Sequence, residues 1–449
     1  MLFNLAKISK YNRGLILTSE IAVLNKNAVA LAADSAVTLT NEKIFNTANK
    51  IFTLSKYQPV GIMIYSNASF MGVSWEIIIK KCRKQLRKKK FDTIKEYADY
   101  FIQFVDDFEL IDDDCVSEFI DNKVTTYFQG LKEEIENPLL SENQQKFITG
   151  SKEFQDILTL QLKFKENLKA LKDSIEKNKN IDYDNPMDKN SFIATYGQEI
   201  KSKIDDIFDL QSKDSINTLV DFSYYFFTKQ QFLDNSLEAG TGTGIVITGF
   251  GDKEYYPGLI SLTIDGKFNE NLRYEIDQDV IVTNEIEKSA MVFPFSQTEE
   301  VETFFEGVKS KYQEEIEEDM EYILRTIPDK VEDFLLKNQV NYDKDLFREE
   351  LLKEFEKYVD KLSNYRFYTN AIPKLLMISH LQKEELATFA KTLISLTSFT
   401  RKYSFDAETV GGPIDVAVIS KFEGFIWIDR KYYFKKKFNP QFKRNYYRK

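Results

Sequence analysis

One histidine, His380, and two cysteines, Cys82 and Cys115, are all that 449 residues hold of those two types. A single histidine excludes every mechanism that needs two, and it excludes an H-E-x-x-H zinc site. A Ser-His-Asp triad would have to use His380, which lies in a helical stretch with no nucleophile motif beside it. Two cysteines build neither a disulfide framework nor a metal quartet, so reduced thiols and a cytoplasmic setting are expected. No run reaches the roughly 18 apolar residues of a membrane span. The short run Leu15-Ile16-Leu17 gives way at once to Thr18, Ser19 and Glu20, so no secretory signal is expected. Only 9 prolines and 17 glycines punctuate the chain, and no repeat or low-complexity linker divides it.

A hydrophobic fraction of 43%, with 37 Phe and 24 Tyr, can bury a large core. The formal net charge of −10 argues against general nucleic-acid binding. Residues 18–82 read as strands followed by a helix. The apolar runs Ile21–Leu24 and Ala28–Ala33 flank the turn Asn25-Lys26-Asn27, and strands are expected at 43–54 and 60–65. Ser74 is placed to cap a helix through Trp75, Ile78 and Cys82. Residues 83–236 are charged and helical, with Phe154, Ile157, Leu158, Phe164, Leu168, Leu171 and Ile175 at three- and four-residue steps. Strand patterns return at Gly244–Gly249, Leu259–Ile264 and Val280–Thr283. Val301, Phe304, Val308, Tyr312, Ile316, Met320 and Ile323 trace one long helix, and more helix follows through Phe347 and Leu362. A helix over Lys383–Ser398 and a hairpin of Ile414–Ile419 with Gly424–Ile428 complete the pattern. Strands at both ends with helical blocks between them predict one α+β domain carrying insertions.

The chemistry concentrates near the first strands. Thr18 precedes the first apolar strand, Asp34 ends the second, and Lys50 starts the third, 16 and 32 residues after Thr18. A threonine hydroxyl needs a base beside it to act as a nucleophile. An α-amine, with a reference pKa of roughly 7.7–8.0, is such a base if Thr18 becomes the first residue after removal of residues 1–17. A lysine ammonium nearby lowers the pKa of that amine further, and an aspartate holds the lysine in place.

These residues, with Ala28-Val29-Ala30-Leu31-Ala32-Ala33-Asp34-Ser35, Asn49-Lys50-Ile51-Phe52, Ile62-Met63-Ile64-Tyr65-Ser66-Asn67-Ala68, Gly244–Gly251, Leu259–Gly266 and Thr409-Val410-Gly411-Gly412-Pro413, resemble the proteasome β-subunit family and its bacterial relatives among the N-terminal-nucleophile hydrolases. The resemblance covers about half the chain. It implies a four-layer αββα sandwich with helical insertions. The core would comprise residues 18–82, 237–304 and 376–430. The insertions would be 83–236 and 305–375, with 1–17 as a propeptide or extension and 431–449 as a basic aromatic tail. It implies a threonine-type peptidase: Thr18 as nucleophile, Lys50 tuning its amine, Asp34 orienting Lys50, and the amide of Ser66 or Asn67 binding the oxyanion. Asp406 or Thr409 would serve in the supporting Asp and Ser roles, for which Glu408 competes, and Ser296 is a weaker match to a further serine. No cofactor and no metal are implied. Self-association and an ATP-driven unfoldase partner are. A catalytically inactive assembly or regulatory subunit of the same fold is the alternative.

Four other motifs carry weaker signals. Gly240-Thr241-Gly242-Thr243-Gly244 could be a phosphate loop, but a strand rather than a helix is expected after it. The run Lys80–Lys90 is basic, and reads as a solvated helix end or an acidic-partner surface. The acids Asp106, Asp107, Glu109, Asp112, Asp113 and Asp114 lack the glycine and spacing of a calcium loop. The tail from Arg430 alternates basic and aromatic residues and is expected to dock on the domain rather than on single-stranded nucleic acid.

Overall fold

The structure is a computed structural model that describes residues 19–39, 43–45, 48–109, 111–148, 155–337, 343–403, 411–432, 434 and 438–441. The fold is α+β, with two five-stranded antiparallel sheets. Ten strands form them: β1 Ser19–Asn25, β2 Val29–Ala33, β3 Ile51–Thr53, β4 Val60–Ser66, β5 Thr243–Gly249, β6 Gly258–Phe268, β7 Asn271–Ile281, β8 Ala290–Ser296, β9 Asp415–Ser420 and β10 Gly424–Asp429. The first sheet runs β8-β1-β2-β9-β10 and the second β7-β6-β5-β4-β3. Among the described residues, no helix is long and apolar enough to cross a membrane.

The period-two alternation of a strand sends successive side chains to opposite faces. In β1, Ala22 and Leu24 face the second sheet, while Ile21 and Val23 face helices. In β2, Val29, Leu31 and Ala33 join the first pair, and Ala30 and Ala32 the second. In the second sheet, Met63 and Val246 point inward, whereas Ile62, Ile64, Ile245 and Ile247 point outward. Both faces of the central strands are therefore buried, which is why their sequences read as nearly continuous apolar runs. Helix Lys383–Lys402 covers the outer face of the first sheet with Leu386, Ala390, Leu393 and Ile394. Helices Trp75–Leu86 and Ile94–Asp106 cover that of the second with Trp75, Ile78, Tyr97 and Phe101. The helices of residues 113–234 extend this last core outward.

Local chemistry sets the joins. The Asn25 side chain accepts from the N–H groups of Asn27 and Ala28 and donates to the carbonyls of Ile378 and Leu381. One side chain thus closes the β1–β2 turn and ties it to helix Ile372–His380. Ser74 caps helix Trp75–Leu86 by accepting from the Glu76 N–H. Asp112, one of the clustered acids, does the same for helix Asp113–Leu131.

Two expectations need correction. The single helix through Val301 and Ile323 is two: Glu299–Glu306 ends at Gly307, whose φ of 82° stops it, and Ser310–Lys337 begins afresh. Of the expected strand Val280–Thr283, Val280 and Ile281 form the end of β7, an edge strand that starts at Asn271, while Val282 and Thr283 lie beyond it. Its Arg273, Glu275, Asp277 and Asp279 mask the pattern, as charges on edge strands do. Strand β8, unforeseen, completes the first sheet beside β1.

Between the sheets, Tyr65 lies over Gly244 and stacks on Phe295 with ring centroids 5.0 Å apart. A Cβ at residue 244 would sit 1.9 Å from Cζ of that ring. We expect Gly244→Ala to lower stability by about 3 kcal/mol, the upper end for overpacking. Adding Tyr65→Leu should restore part of the loss, as read from the urea midpoints of the two variants.

Candidate active site

Asp34 follows the last residue of β2, where its backbone N–H still donates to the Ser19 carbonyl at 3.1 Å. Its carboxylate links β1 to the segment that leads into β9. Oδ1 accepts the Ser19 N–H at 3.2 Å, and Oδ2 accepts the Gly411 N–H at 3.0 Å. Ser35 reinforces the second link, with N–H to the Gly411 carbonyl and Oγ to the Pro413 carbonyl at 2.5 Å. The Asp34 side chain is therefore held by the backbone and 1% exposed.

Lys50 comes from the second sheet. Its carbonyl accepts the Ile64 N–H at 2.9 Å, which fixes the residue beside β4, two positions before Ser66. Its ammonium reaches across to the first sheet, 2.5 Å from Asp34 Oδ1 and 2.9 Å from Glu20 Oε1. The lysine side chain is 4% exposed and that of Glu20 is fully buried. One buried cation thus joins two buried carboxylates at the N-terminal end of β1.

Glu20 is the residue that the sequence reading missed. Its signal was available in the alternation, since it shares the inter-sheet face with Ala22 and Leu24. Lys431 is a second. Its N–H donates to Asp415 Oδ1 at 2.7 Å, and its ammonium pairs with the same carboxylate. Burial holds the Lys431 amine below its usual range, opposed by Asp415 and reinforced by the charge of Lys50. Residue 431 is thereby docked on the domain, close enough for the two ammonium groups to feel each other.

Ser66 ends β4 opposite Thr243, with φ of 66°. That left-handed conformation is uncommon for a residue other than glycine. Asn67 follows. Its side chain accepts the Ser69 N–H, and its carbonyl accepts the Thr243 hydroxyl at 3.0 Å. Ser296, with φ of 67°, pairs in register with Ser19. Asp34, Lys50, Glu20 and Ser19 are thus brought together, and Ser66 and Ser296 lie at the ends of strands that flank them. Thr18, Asp406, Glu408 and Thr409 lie outside the described residues.

His380 ends helix Ile372–His380 exposed, with Nδ1 2.7 Å from the Leu376 carbonyl. Cys82 is buried in the helix layer, and burial pushes its thiol up to about 12, which leaves it protonated and unreactive at neutral pH. Among the described residues, no group of three or more His, Cys, Asp or Glu side chains is arranged to hold a metal ion.

The arrangement can do one thing well chemically. A fixed, dehydrated ammonium stabilises negative charge and depresses the pKa of a neighbouring amine or hydroxyl. No protein-family model matches the chain, and no curated protein matches it.

Proposed function

We propose that this protein is a threonine-type N-terminal-nucleophile hydrolase of the proteasome-like kind, acting on amide bonds. The carrying observation is the buried Lys50 ammonium held by Asp34 at 2.5 Å, on backbone that is itself hydrogen-bonded to Ser19, the residue after Thr18. Two face-to-face sheets with helices on both outer sides agree with the αββα sandwich that the resemblance implies.

In this reading, removal of residues 1–17 exposes the Thr18 amine. Lys50 lowers the pKa of that amine so that it is neutral and able to take the hydroxyl proton. Asp34 fixes the position of Lys50. The hydroxyl oxygen attacks the substrate carbonyl, and the proton passes through the amine to the leaving nitrogen. The backbone N–H of Ser66 or Asn67 stabilises the oxyanion. The glycine-like backbone of Ser66 supports that assignment. Asp406 or Thr409 would complete the supporting shell. Self-association and an ATP-driven unfoldase partner belong to the same proposal.

A second reading, an inactive assembly subunit of the same fold, is favoured by Glu20 and Tyr65. Glu20 shares the ammonium with Asp34, and the Tyr65 ring fills the space over Gly244. The intact mass of the purified protein separates the two. Loss of residues 1–17 in the parent chain, abolished together with hydrolysis of fluorogenic peptide amides in Thr18→Ala, is the expected result. A full-length, inert parent chain would leave the assembly role.

A further inference from the structure

Two surfaces of opposite charge stand open on this chain. The first is a groove of about 780 Å³ between the C-terminal ends of helices Trp75–Leu86 and Ile94–Asp106. Phe104 and Phe108, half-buried and buried, give it an apolar floor, and the exposed Lys81, Lys84, Arg87 and Lys89 give it a basic rim. Asp107 and Glu109 also line it, so four cations stand against two carboxylates. Lys81 and Lys89 lie over the rings of Phe108 and Tyr100, 5.2 and 4.7 Å from the centroids. Among the described residues, none of the four cations is in an ion pair.

The second surface is on helix Ser310–Lys337. This helix packs on helix Lys344–Arg366, with Glu332 and Asp329 paired to Lys344 and Arg348. That contact leaves an apolar stripe uncovered: Tyr312, Ile316, Met320 and Ile323, at three- and four-residue steps, are 63, 48, 41 and 49% exposed. Glu315 and Asp319 run along the edge of the stripe, and Glu314 and Glu318 add to the negative charge of the same two turns. Among the described residues, none of these four acids is in an ion pair. Like charges four residues apart on a helix repel each other, and a facing surface of the other sign relieves that repulsion.

The two surfaces do not meet within one chain. The acidic helix follows helix Glu299–Glu306, whose Val301 packs on the outer face of the first sheet. The basic groove lies in the helix layer over the second sheet. A nucleic-acid strand would match the rim and leave the acidic stripe unexplained, whereas a second copy of the chain matches both.

We infer that the acidic helix of one copy docks in the basic groove of another, with Tyr312, Ile316 and Met320 on Phe104 and Phe108, and Glu315 and Asp319 on the lysine rim. The contact joins unlike patches, so it is heterologous. Its charges set orientation and association rate, and its apolar stripe supplies most of the affinity. The contact supplies the self-association of the proposed function and rests on that part of it alone. Sedimentation tests it, while intact mass and peptide hydrolysis test the chemistry at Thr18. The full chain should associate, and high salt should weaken the association at least tenfold. Lys81→Glu with Lys84→Glu reverses the groove, and Glu315→Lys with Asp319→Lys reverses the helix. Each double variant alone should lose at least tenfold in affinity. An equimolar mixture of the two should associate again, because each supplies the surface that the other lacks. Ile316→Ser in the parent chain should also lose at least tenfold, which attraction between net charges alone would not produce. A monomeric parent chain, with or without an oligonucleotide on the groove, overturns the assignment. So does association unchanged in any variant, or a mixture that stays monomeric.

Discussion

Lys50→Ala should destabilise the fold by about 3–5 kcal/mol, the cost of removing one partner from a buried ion pair. The substitution leaves Asp34 and Glu20, two carboxylates without solvent, facing the space where their common cation was. Asp34 keeps the N–H groups of Ser19 and Gly411 as donors, and both acids lose their ion pair with the ammonium. Neutralising either acid should therefore rescue part of the loss. Lys50→Met with Glu20→Gln should recover about half of the loss or more, because an apolar replacement for the ammonium then faces a neutral amide. Lys50→Met with Asp34→Asn should recover less, since an asparagine offers one acceptor oxygen where the aspartate offers two. Urea unfolding of the single and double variants gives the ordering. Equal stability of Lys50→Ala and the parent chain would mean that the ammonium is solvated rather than buried. Under the hydrolase reading, each of these variants also stops the release of residues 1–17.

Much of this site was legible in the sequence because it is carried by residue type at fixed separation. Asp34 and Lys50 stand where strand ends place them, and the apolar runs around them survive as β2 and β3. Glu20 was not legible by the same route. A glutamate between Ser19 and Ile21 looks like a solvated strand start, and only its register with Ala22 and Leu24 turns it inward. The fold was legible where burial is two-sided and at the edge strands β3 and β10, and illegible at the edge strands β7 and β8. Strand β7 hides behind its charges, and β8 lies between a turn and a helix with no alternation of its own. The break at Gly307 was hidden by a heptad-like run that continues through it, because periodicity measures which face is apolar and not whether the backbone is continuous. Lys123 and Asp265 come from elements 142 residues apart, so their meeting is a product of packing alone.

Lys123 should make stability rise with pH where most proteins begin to lose it. Burial brings its amine down from an ordinary 10.5 to about 8, opposed by Asp265 and assisted by the neighbouring charge of Arg273. Below pH 8 the folded and unfolded chains both carry the proton, and the folded state bears the full cost of the buried charge. Between about 8 and 10.5 the unfolded chain holds a proton that the folded chain has released. Stability therefore increases with pH across that window, by up to about 1.4 kcal/mol per pH unit. Burial pushes the hydroxyl of Tyr127, which faces Lys123, above its ordinary value, so it stays protonated throughout. The contribution is isolated by comparison with Lys123→Met, which lacks the titrating group and leaves the Asp265–Arg273 pair in place. At pH 7 the methionine variant should equal or exceed the parent chain in stability, because an apolar side chain of similar length replaces a surplus buried charge. By pH 9.5 the parent chain should have gained about 2 kcal/mol on it. Urea unfolding at half-unit steps from pH 7 to 9.5 measures the difference. A flat difference across that range would mean that Lys123 keeps its proton in the folded chain.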